Sequence, residues 1–555
     1  MNLPEDNRFL THDVTNQPPP LTPYDAYATD VPLQQALVRE GAGWAESAVA
    51  AYGPLAGGEA MELGFLANEN KPALRPFDRF GHRIDEIEFH PAYHQLMQLG
   101  ITRGVTNFGW QNSHIAGAHV ARAALMYLHG QADQGTCCPM TMTYASVPVF
   151  RHAPALAREW LPRITAAEYD ARPIPAWEKR GNTIGMGMTE KQGGSDLRSN
   201  TTRARPVDSG SDNGLFELVG HKWFFSAPRC DAFLVLAQTE HGISCFLVPR
   251  FAPDAGRHPV PNGIRIQRLK DKLGDWSNAS AEVEFEGALG WLIGEQGRGI
   301  ATILEMVALT RQDCMIGSAA IMRQALVQAI HHARHRKAFG KWLIEQPLMQ
   351  NVLADLALES EAAMALALRV ARAVDASPRD PGEAAMARIA TAIGKYWVCK
   401  RCAPFINEAQ ECLGGAGYVE ESILPRLYRQ APLNSIWEGS GNIQCLDVLR
   451  ALRREPETHA ALFAEFDGVK GAHPLLDAHV ARLEKALRDT EHVESRSRSL
   501  VEAMATGLQA AQLLRIDDRG IGDSFCRARL GGGVQHSYGA LPPSLPFAAL
   551  IARAY

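Results

Sequence analysis

The amino-acid sequence predicts an α+β multidomain fold: an N-terminal helical domain, a central antiparallel β domain, a C-terminal four-helix bundle and an extra, mainly helical C-terminal domain. Three observations carry the prediction. Apolar residues recur with a helical period up to about residue 184 and again from Gly297. Between these stretches, short apolar or alternating runs are spaced by Gly, Pro, Asn and Asp. The length of 555 residues corresponds to roughly three to four domains.

Taken in order, residues 1–32 are rich in Pro, Thr, Asp and Asn and contain Pro18-Pro19-Pro20, so they read as an irregular arm that is ordered only if something docks it. Residues 33–184 read as a helical domain, with Pro72, Pro91, Pro148 and Pro154 separating its pieces. Residues 185–296 carry the strand-like runs, among them Phe216-Glu-Leu-Val, Phe233-Leu-Val-Leu-Ala and Ala281-Glu-Val-Glu-Phe. Residues 297–450 hold three long helical patterns, 299–336, 346–374 and 383–413, which suggest a bundle that often forms an oligomer core. Residues 451–555 are again mainly helical.

Apolar content of 46% and charged content of 21% place the chain among ordinary globular proteins. A net charge of -5 gives no global attraction to nucleic acid, so any DNA-binding surface must be local. The last segment has thirteen Lys/Arg against thirteen Asp/Glu, but its arginines cluster as Arg496/Arg498, Arg515/Arg519 and Arg527/Arg529. The ten cysteines show no disulfide framework, and no signal peptide or membrane-length apolar run is visible, which favours a reducing cytoplasm. Cys399-Lys-Arg-Cys402 lies inside a helical pattern without a second pair, and His331, His332 and His335 end a long helix; neither reads as a metal site.

Five stretches have the composition of binding loops. Ser435-Ile-Trp-Glu-Gly-Ser-Gly-Asn442 sets one carboxylate between an aromatic and small residues and feeds a helix; Trp437 would screen Glu438 from water and raise its pKa towards that of a general base. Gly185-Met-Gly-Met-Thr-Glu-Lys-Gln-Gly-Gly-Ser-Asp196 offers hydroxyls and free N–H groups to a flat polar ligand or its phosphates, although its glycine spacing is not that of a dinucleotide fingerprint. Gly220-His-Lys-Trp-Phe-Phe-Ser226 is a strand with three aromatics. Arg336-Lys-Ala-Phe-Gly340 and Glu411-Cys-Leu-Gly-Gly-Ala-Gly-Tyr418 also fit ordinary helix C-caps.

In this order, along helical, β and helical regions, the stretches resemble the acyl-CoA dehydrogenase flavoprotein superfamily over roughly residues 90–450, and an acyl-CoA dehydrogenase-like fold is what the resemblance implies. Met188 to Asp196 is similar to its flavin-binding loop, with Lys191 where Pro is usual; Gly220 to Ser226 is similar to its flavin-covering strand, with Phe224 where Trp and Ser226 where Thr are common. The resemblance implies FAD held by Met186, Met188, Thr189, Gly194, Ser195, Phe224, Phe225, Ser226, Ile436, Trp437, Gly439, Ser440 and Asn442. Arg336, Phe339, Gly414 and Gly415 would reach the FAD of a neighbouring subunit. Glu438 would be the catalytic base that removes a proton beside a thioester carbonyl of an acyl-CoA.

The ends of the chain narrow the resemblance. Thr11-His-Asp-Val-Thr-Asn-Gln17, Arg39-Glu-Gly-Ala-Gly-Trp44, Cys138-Pro-Met-Thr-Met-Thr143 and the additional last segment look like the bacterial alkylation-response flavoproteins of that superfamily. What this implies is a cytoplasmic, FAD-containing homotetramer that binds double-stranded DNA through its last domain, with Arg450 and Arg529 as contacts, and has feeble activity on acyl-CoA. The alternative is a catabolic acyl-CoA dehydrogenase whose extra domain is structural.

Overall fold

The computed structural model describes residues 9, 11–207, 214–253, 260–516, 520–532 and 536–555. Helices dominate both flanks of a single seven-stranded sheet, as the α+β prediction requires. The arm is docked rather than loose. Tyr27 is buried, and the Tyr24 hydroxyl donates to Gln324 Oε1 at 2.7 Å on the long central helix. Asn16, at φ 56°, accepts from the Lys337 N–H and donates to the Lys337 carbonyl, and Arg336 donates to the Asn16 carbonyl. The first helix, Val31–Arg39, starts inside the expected arm: Asp30 caps it by accepting from Leu33 N–H at 3.0 Å, and Pro32 sits in the first turn where its missing N–H is harmless.

One element of the helical region was not expected. Ala73–Phe77 and Arg83–Glu88 form an antiparallel hairpin with Arg75 opposite Glu86. Its alternation is half-charged and it contains Pro76, so no apolar run announces it.

The sheet comprises Ile184–Gly187, Arg203–Pro206, Leu215–Ser226, Ala232–Thr239, Gly242–Pro249, Ile264–Leu269 and Ser280–Ile293. Pairing is antiparallel except that the first two strands also run parallel to Ala232–Thr239. The pairing that matters for the site is Met186 opposite Ser226, which sets the Gly185–Asp196 loop beside the end of the aromatic strand.

Three long helices, Gly299–His335, Pro347–Ala376 and Pro381–Leu413, pack together, and Gly441–Arg454 lies against the third. Beyond Arg454 come Pro456–Asp467, Pro474–Arg488, Ser497–Leu514, Ile521–Arg529 and Phe547–Ala554. These share one continuous apolar core with the bundle and the N-terminal helices; Leu462, Phe466, Met504 and Leu508 belong to the same cluster as Leu366 and Ile393. Buried ion pairs stitch the seam: Arg369 with Glu383 and Glu465, Arg553 with Glu361, and Arg529 with Asp355 and Glu359.

All ten cysteines are buried free thiols, and Cys399 and Cys402 lie within one helix. Among the described residues no cluster of three or more His, Cys, Asp or Glu side chains is arranged to hold a metal.

Candidate functional site

The turn Ser435–Ser440 is fixed from three directions. Lys395, buried in the third long helix, donates to the carbonyls of Trp437, at 2.7 Å, and Gly439. From the first long helix, Arg311 donates to the Glu438 carbonyl at 2.9 Å and pairs with Asp447 at 2.8 Å, tying the turn to the helix that follows it. Gln444 donates to the carbonyls of Glu438 and Gly439. Trp437 Nε1 donates to Asn434 Oδ1 at 2.9 Å. Held this way, Glu438 adopts φ 58°, a left-handed conformation that a non-glycine residue keeps only when its surroundings impose it. Gly439 follows at φ 94°, and a Cβ there would lie 2.8 Å from Gln444 Nε2.

The Glu438 carboxylate accepts from the Thr310 hydroxyl at 2.8 Å. Burial pushes its pKa above the ordinary carboxylate value; the Thr310 hydrogen bond and the Arg311 and Lys395 cations offset only part of that shift. The result is a positioned carboxylate with strengthened basicity, the chemistry of a proton acceptor.

The Gly185–Asp196 loop, whose Met188 packs on the same apolar cluster as Trp437, is equally constrained. Lys222, completely buried, pairs with Glu190 at 2.7 Å and donates to the Leu236 carbonyl at 2.8 Å. Burial opposes the charge on Glu190, but Lys222 and hydrogen bonds from Thr201 and Thr202 outweigh it and hold the carboxyl well below the usual range. The Thr189 carbonyl accepts from Trp223 N–H at 2.8 Å. A Cβ on Gly194 would sit 2.8 Å from Thr189 Oγ1, so the glycine keeps the loop closed around that hydroxyl.

The structure sorts the residues singled out in the sequence. Met186 is buried opposite Ser226, Met188 and Thr189 are half-buried, and Gly194 and Ser195 are exposed on the loop. Phe224 is 52% exposed beside Lys270, and Ile436 is 62% exposed. Trp437 packs on the same apolar cluster as Met188. Phe225 is a correction: its ring is fully buried against Phe233, 4.4 Å between centroids, so alternation along the strand turns it into the sheet's core and away from the face carrying Phe224. The Asn442 side chain is already engaged, its Oδ1 accepting from Arg498 Nε at 2.9 Å, while Ser440 is exposed just before the helix.

Arg336, Phe339, Gly414 and Gly415 do not join this cluster within one chain. About 40 Å of helix separates Thr310 from Arg336, and about 30 Å separates Lys395 from Gly414. Phe339 is 99% exposed at the tip of a two-residue hairpin, and nothing lies within 4 Å of a Cβ built on Gly414 or Gly415. Arg529 is the second correction. Its side chain is only 14% exposed and is bonded to Asp355 and Glu359, so it is not available to a DNA phosphate. Arg450 is exposed, and with Arg453 and Arg454 it forms a stripe at the end of helix Gly441–Arg454; none of the three bonds to a described residue. Arg519 lies outside the described residues.

Sequence reasoning missed Thr310, Arg311, Lys395 and Gln444. Lys395 alone left a trace, a single cation in the apolar stretch Ala392-Ile-Gly-Lys-Tyr-Trp-Val398.

Comparison with known proteins agrees with this geometry. Residues 16–171 match the N-terminal domain of the adaptive response protein AidB, and residues 185–288 and 297–453 match the middle and C-terminal domains of acyl-CoA dehydrogenase. The chain is 48% identical to AidB of Escherichia coli (strain K12), covering 95% of this chain and 96% of that protein. It is 30% identical to acyl-CoA dehydrogenase family member 11 of Caenorhabditis elegans, over 82% of this chain and 72% of that protein. The crystal structure of C. elegans ACDH-11 in complex with C11-CoA superposes with a TM-score of 0.84 at 26% identity, covering 94% and 93% of the two chains. The chain therefore belongs to the AidB-like branch of the acyl-CoA dehydrogenase family.

Proposed function

We propose that this protein is a cytoplasmic, FAD-containing homotetramer that binds double-stranded DNA in the response to DNA alkylation, shielding DNA or destroying alkylating agents, with at most weak acyl-CoA dehydrogenase activity. The observation that carries the DNA reading is the stripe Arg450, Arg453 and Arg454: three exposed guanidinium groups, unpaired among the described residues, on one helical face. Phosphate contacts by such cations supply most of the affinity for duplex DNA.

The residues fit FAD. Exposed Phe224 and Ile436 leave apolar surface for a flat ring system, and the Met188–Asp196 loop supplies the Thr189 and Ser195 hydroxyls. The open Gly414-Gly415 and the projecting Phe339 suit the cofactor of a neighbouring copy. When bound, FAD supplies the hydride acceptor. The chain's own part in dehydrogenation is to remove the proton next to a thioester carbonyl with Glu438, to restrain that carboxylate through Thr310, and to present the Glu438 N–H to the carbonyl oxygen.

The test is a duplex titration of the tetramer at low and at physiological salt. Binding at low salt that weakens steeply with salt is expected; no binding even at low salt overturns the reading. The strained, upshifted Glu438 favours the second reading, a catabolic acyl-CoA dehydrogenase. That reading requires rapid flavin bleaching by some acyl-CoA, lost in Glu438→Gln; a broad acyl-CoA panel that fails to bleach the flavin excludes it.

A further inference from the structure

The last segment reaches the residues expected to hold FAD through one side chain. Arg498, near the start of helix Ser497–Leu514, donates from Nε to Asn442 Oδ1 at 2.9 Å. A Cβ built on Gly441 would lie 3.7 Å from its Nη2. The guanidinium therefore rests on the first turn of helix Gly441–Arg454, beside Ser440 and Asn442. All three side chains, Ser440, Asn442 and Arg498, are exposed. The family resemblance gives the last segment no part in holding the cofactor.

Arg498 keeps its charge uncompensated. The Asn442 amide oxygen is its one hydrogen-bond acceptor among the described residues, and it forms no ion pair with any of them. The carboxylates nearby are used elsewhere. Glu502, one turn along the same helix, feels Arg401 rather than Arg498. Asp447, the acid of helix Gly441–Arg454, is held by Arg311 at 2.8 Å and Arg388 at 3.0 Å. Neighbouring arginines of the last segment behave differently: Arg496 pairs with Asp489, and Arg515 with Glu465. A second cation adds to the excess. Lys400, on the third long helix, is exposed and bonds to no described residue. Burial pushes the Cys445 thiol up to about 11, and Arg498 and Lys400 both pull against that push, which places both cations around the start of this helix.

We infer that Arg498 is a further cofactor-binding residue, holding Asn442 in place through Nε and offering its remaining N–H groups to the diphosphate of FAD. The inference rests on the reading of Ser440 and Asn442 as cofactor residues. The diphosphate is the part of FAD that is charged at neutral pH, and a guanidinium fork matches phosphate oxygens. An arginine that spends one donor on a neutral amide and meets no carboxylate retains its charge for such an anion. Flavin retention thereby depends on the last segment as well as on the loops that precede it.

The experiment measures free FAD in the ultrafiltrate of serially diluted holoprotein, for the parent, Arg498→Met and Arg498→Lys, beside the urea midpoint of the flavin-free chains. Whether the parent holds FAD tests the cofactor reading, and the ratio of variant to parent tests the inference. Arg498→Met should weaken FAD binding about ten- to hundredfold, the loss of a hydrogen bond to a charged group. The deficit should shrink as salt rises, because the contact is exposed. Arg498→Lys, which keeps the charge without the fork, should recover part of the loss, and neither variant should move the flavin-free midpoint. FAD retention in Arg498→Met equal to the parent's overturns the inference while leaving the cofactor reading intact. So does a weakening matched by a fall in the flavin-free midpoint, which marks a structural role, or an Arg498→Lys as weak as Arg498→Met. Unchanged FAD retention with a shallower salt slope for duplex DNA assigns Arg498 to the DNA surface and overturns it as well.

Discussion

At its N-terminal end, helix Gly441–Arg454 follows a turn that is bonded from three directions by Arg311, Lys395 and Gln444; at its C-terminal end, three arginines stand in solvent with no bond to a described residue. One end is a site made of geometry, where a strained Glu438 is held against Thr310. The other, the proposed DNA contact, is a cluster of charge, where exposure and spacing would set the affinity. Damage to the first should show as lost stability and lost cofactor. Damage to the second should show as lost binding in a protein that is otherwise unchanged.

The largest effect sharpens the comparison from outside the helix. Arg529→Ala leaves Asp355 and Glu359 buried beside an empty position and should destabilise the fold by about 3–5 kcal/mol. Urea unfolding should show the loss, while the salt dependence of DNA binding of the still-folded fraction stays as in the parent. Next, Lys395→Met orphans the Trp437 carbonyl at about 1–3 kcal/mol and leaves the Gly439 carbonyl with Gln444 as its one side-chain donor. The turn should loosen, and flavin should dissociate more readily on dilution; equal flavin retention would break the claim that the turn is held for the cofactor.

A smaller effect tests the environment of Glu438. Its folded pKa is raised, so the protonated form is the one that the fold favours. That favourable contribution is complete below the ordinary carboxylate pKa and is lost as pH rises through the raised folded value. Glu438→Gln should therefore be more stable than the parent at neutral pH, with the difference disappearing in acid. The same direction places the acid limb of any proton abstraction above the ordinary carboxylate range. The smallest effect is at the arm: Asn16→Ala removes two exposed side-chain hydrogen bonds to Lys337, at most about 0.5 kcal/mol each, and should raise amide exchange in the Lys337–Trp342 hairpin more than it lowers global stability.

What could be read in the sequence and what could not divide along the same physical line. The long helices, the strand runs and the order of the five loops are local patterns, and Met186 and Ser226 meet because their strands pair in register. Apart from Gln444, six residues on, the residues that fix Glu438 are invisible locally, since Thr310 and Arg311 lie 128 and 127 residues away along the chain. Arg529 was misread for the same reason: its partners Asp355 and Glu359 are 174 and 170 residues distant, and an arginine in a basic cluster carries no mark of burial. Phe225 was misread because alternation within a strand of three aromatics does not say which face meets the core. The hairpin at 73–88 escaped notice because its exposed, charged strands lack the apolar signal on which strand prediction rests.

The proposed DNA contact is the exposed end of this helix, not the buried arginines of the last segment. The most direct test is the slope of log affinity against log salt for duplex DNA, measured on the holoprotein and on the variant Arg450→Ala/Arg453→Ala/Arg454→Ala. Each phosphate contact contributes about 0.9 to that slope, so the triple variant should lose about 2–3 from it while keeping its flavin spectrum and unfolding midpoint. An unchanged slope in a folded, flavin-loaded triple variant would contradict the account.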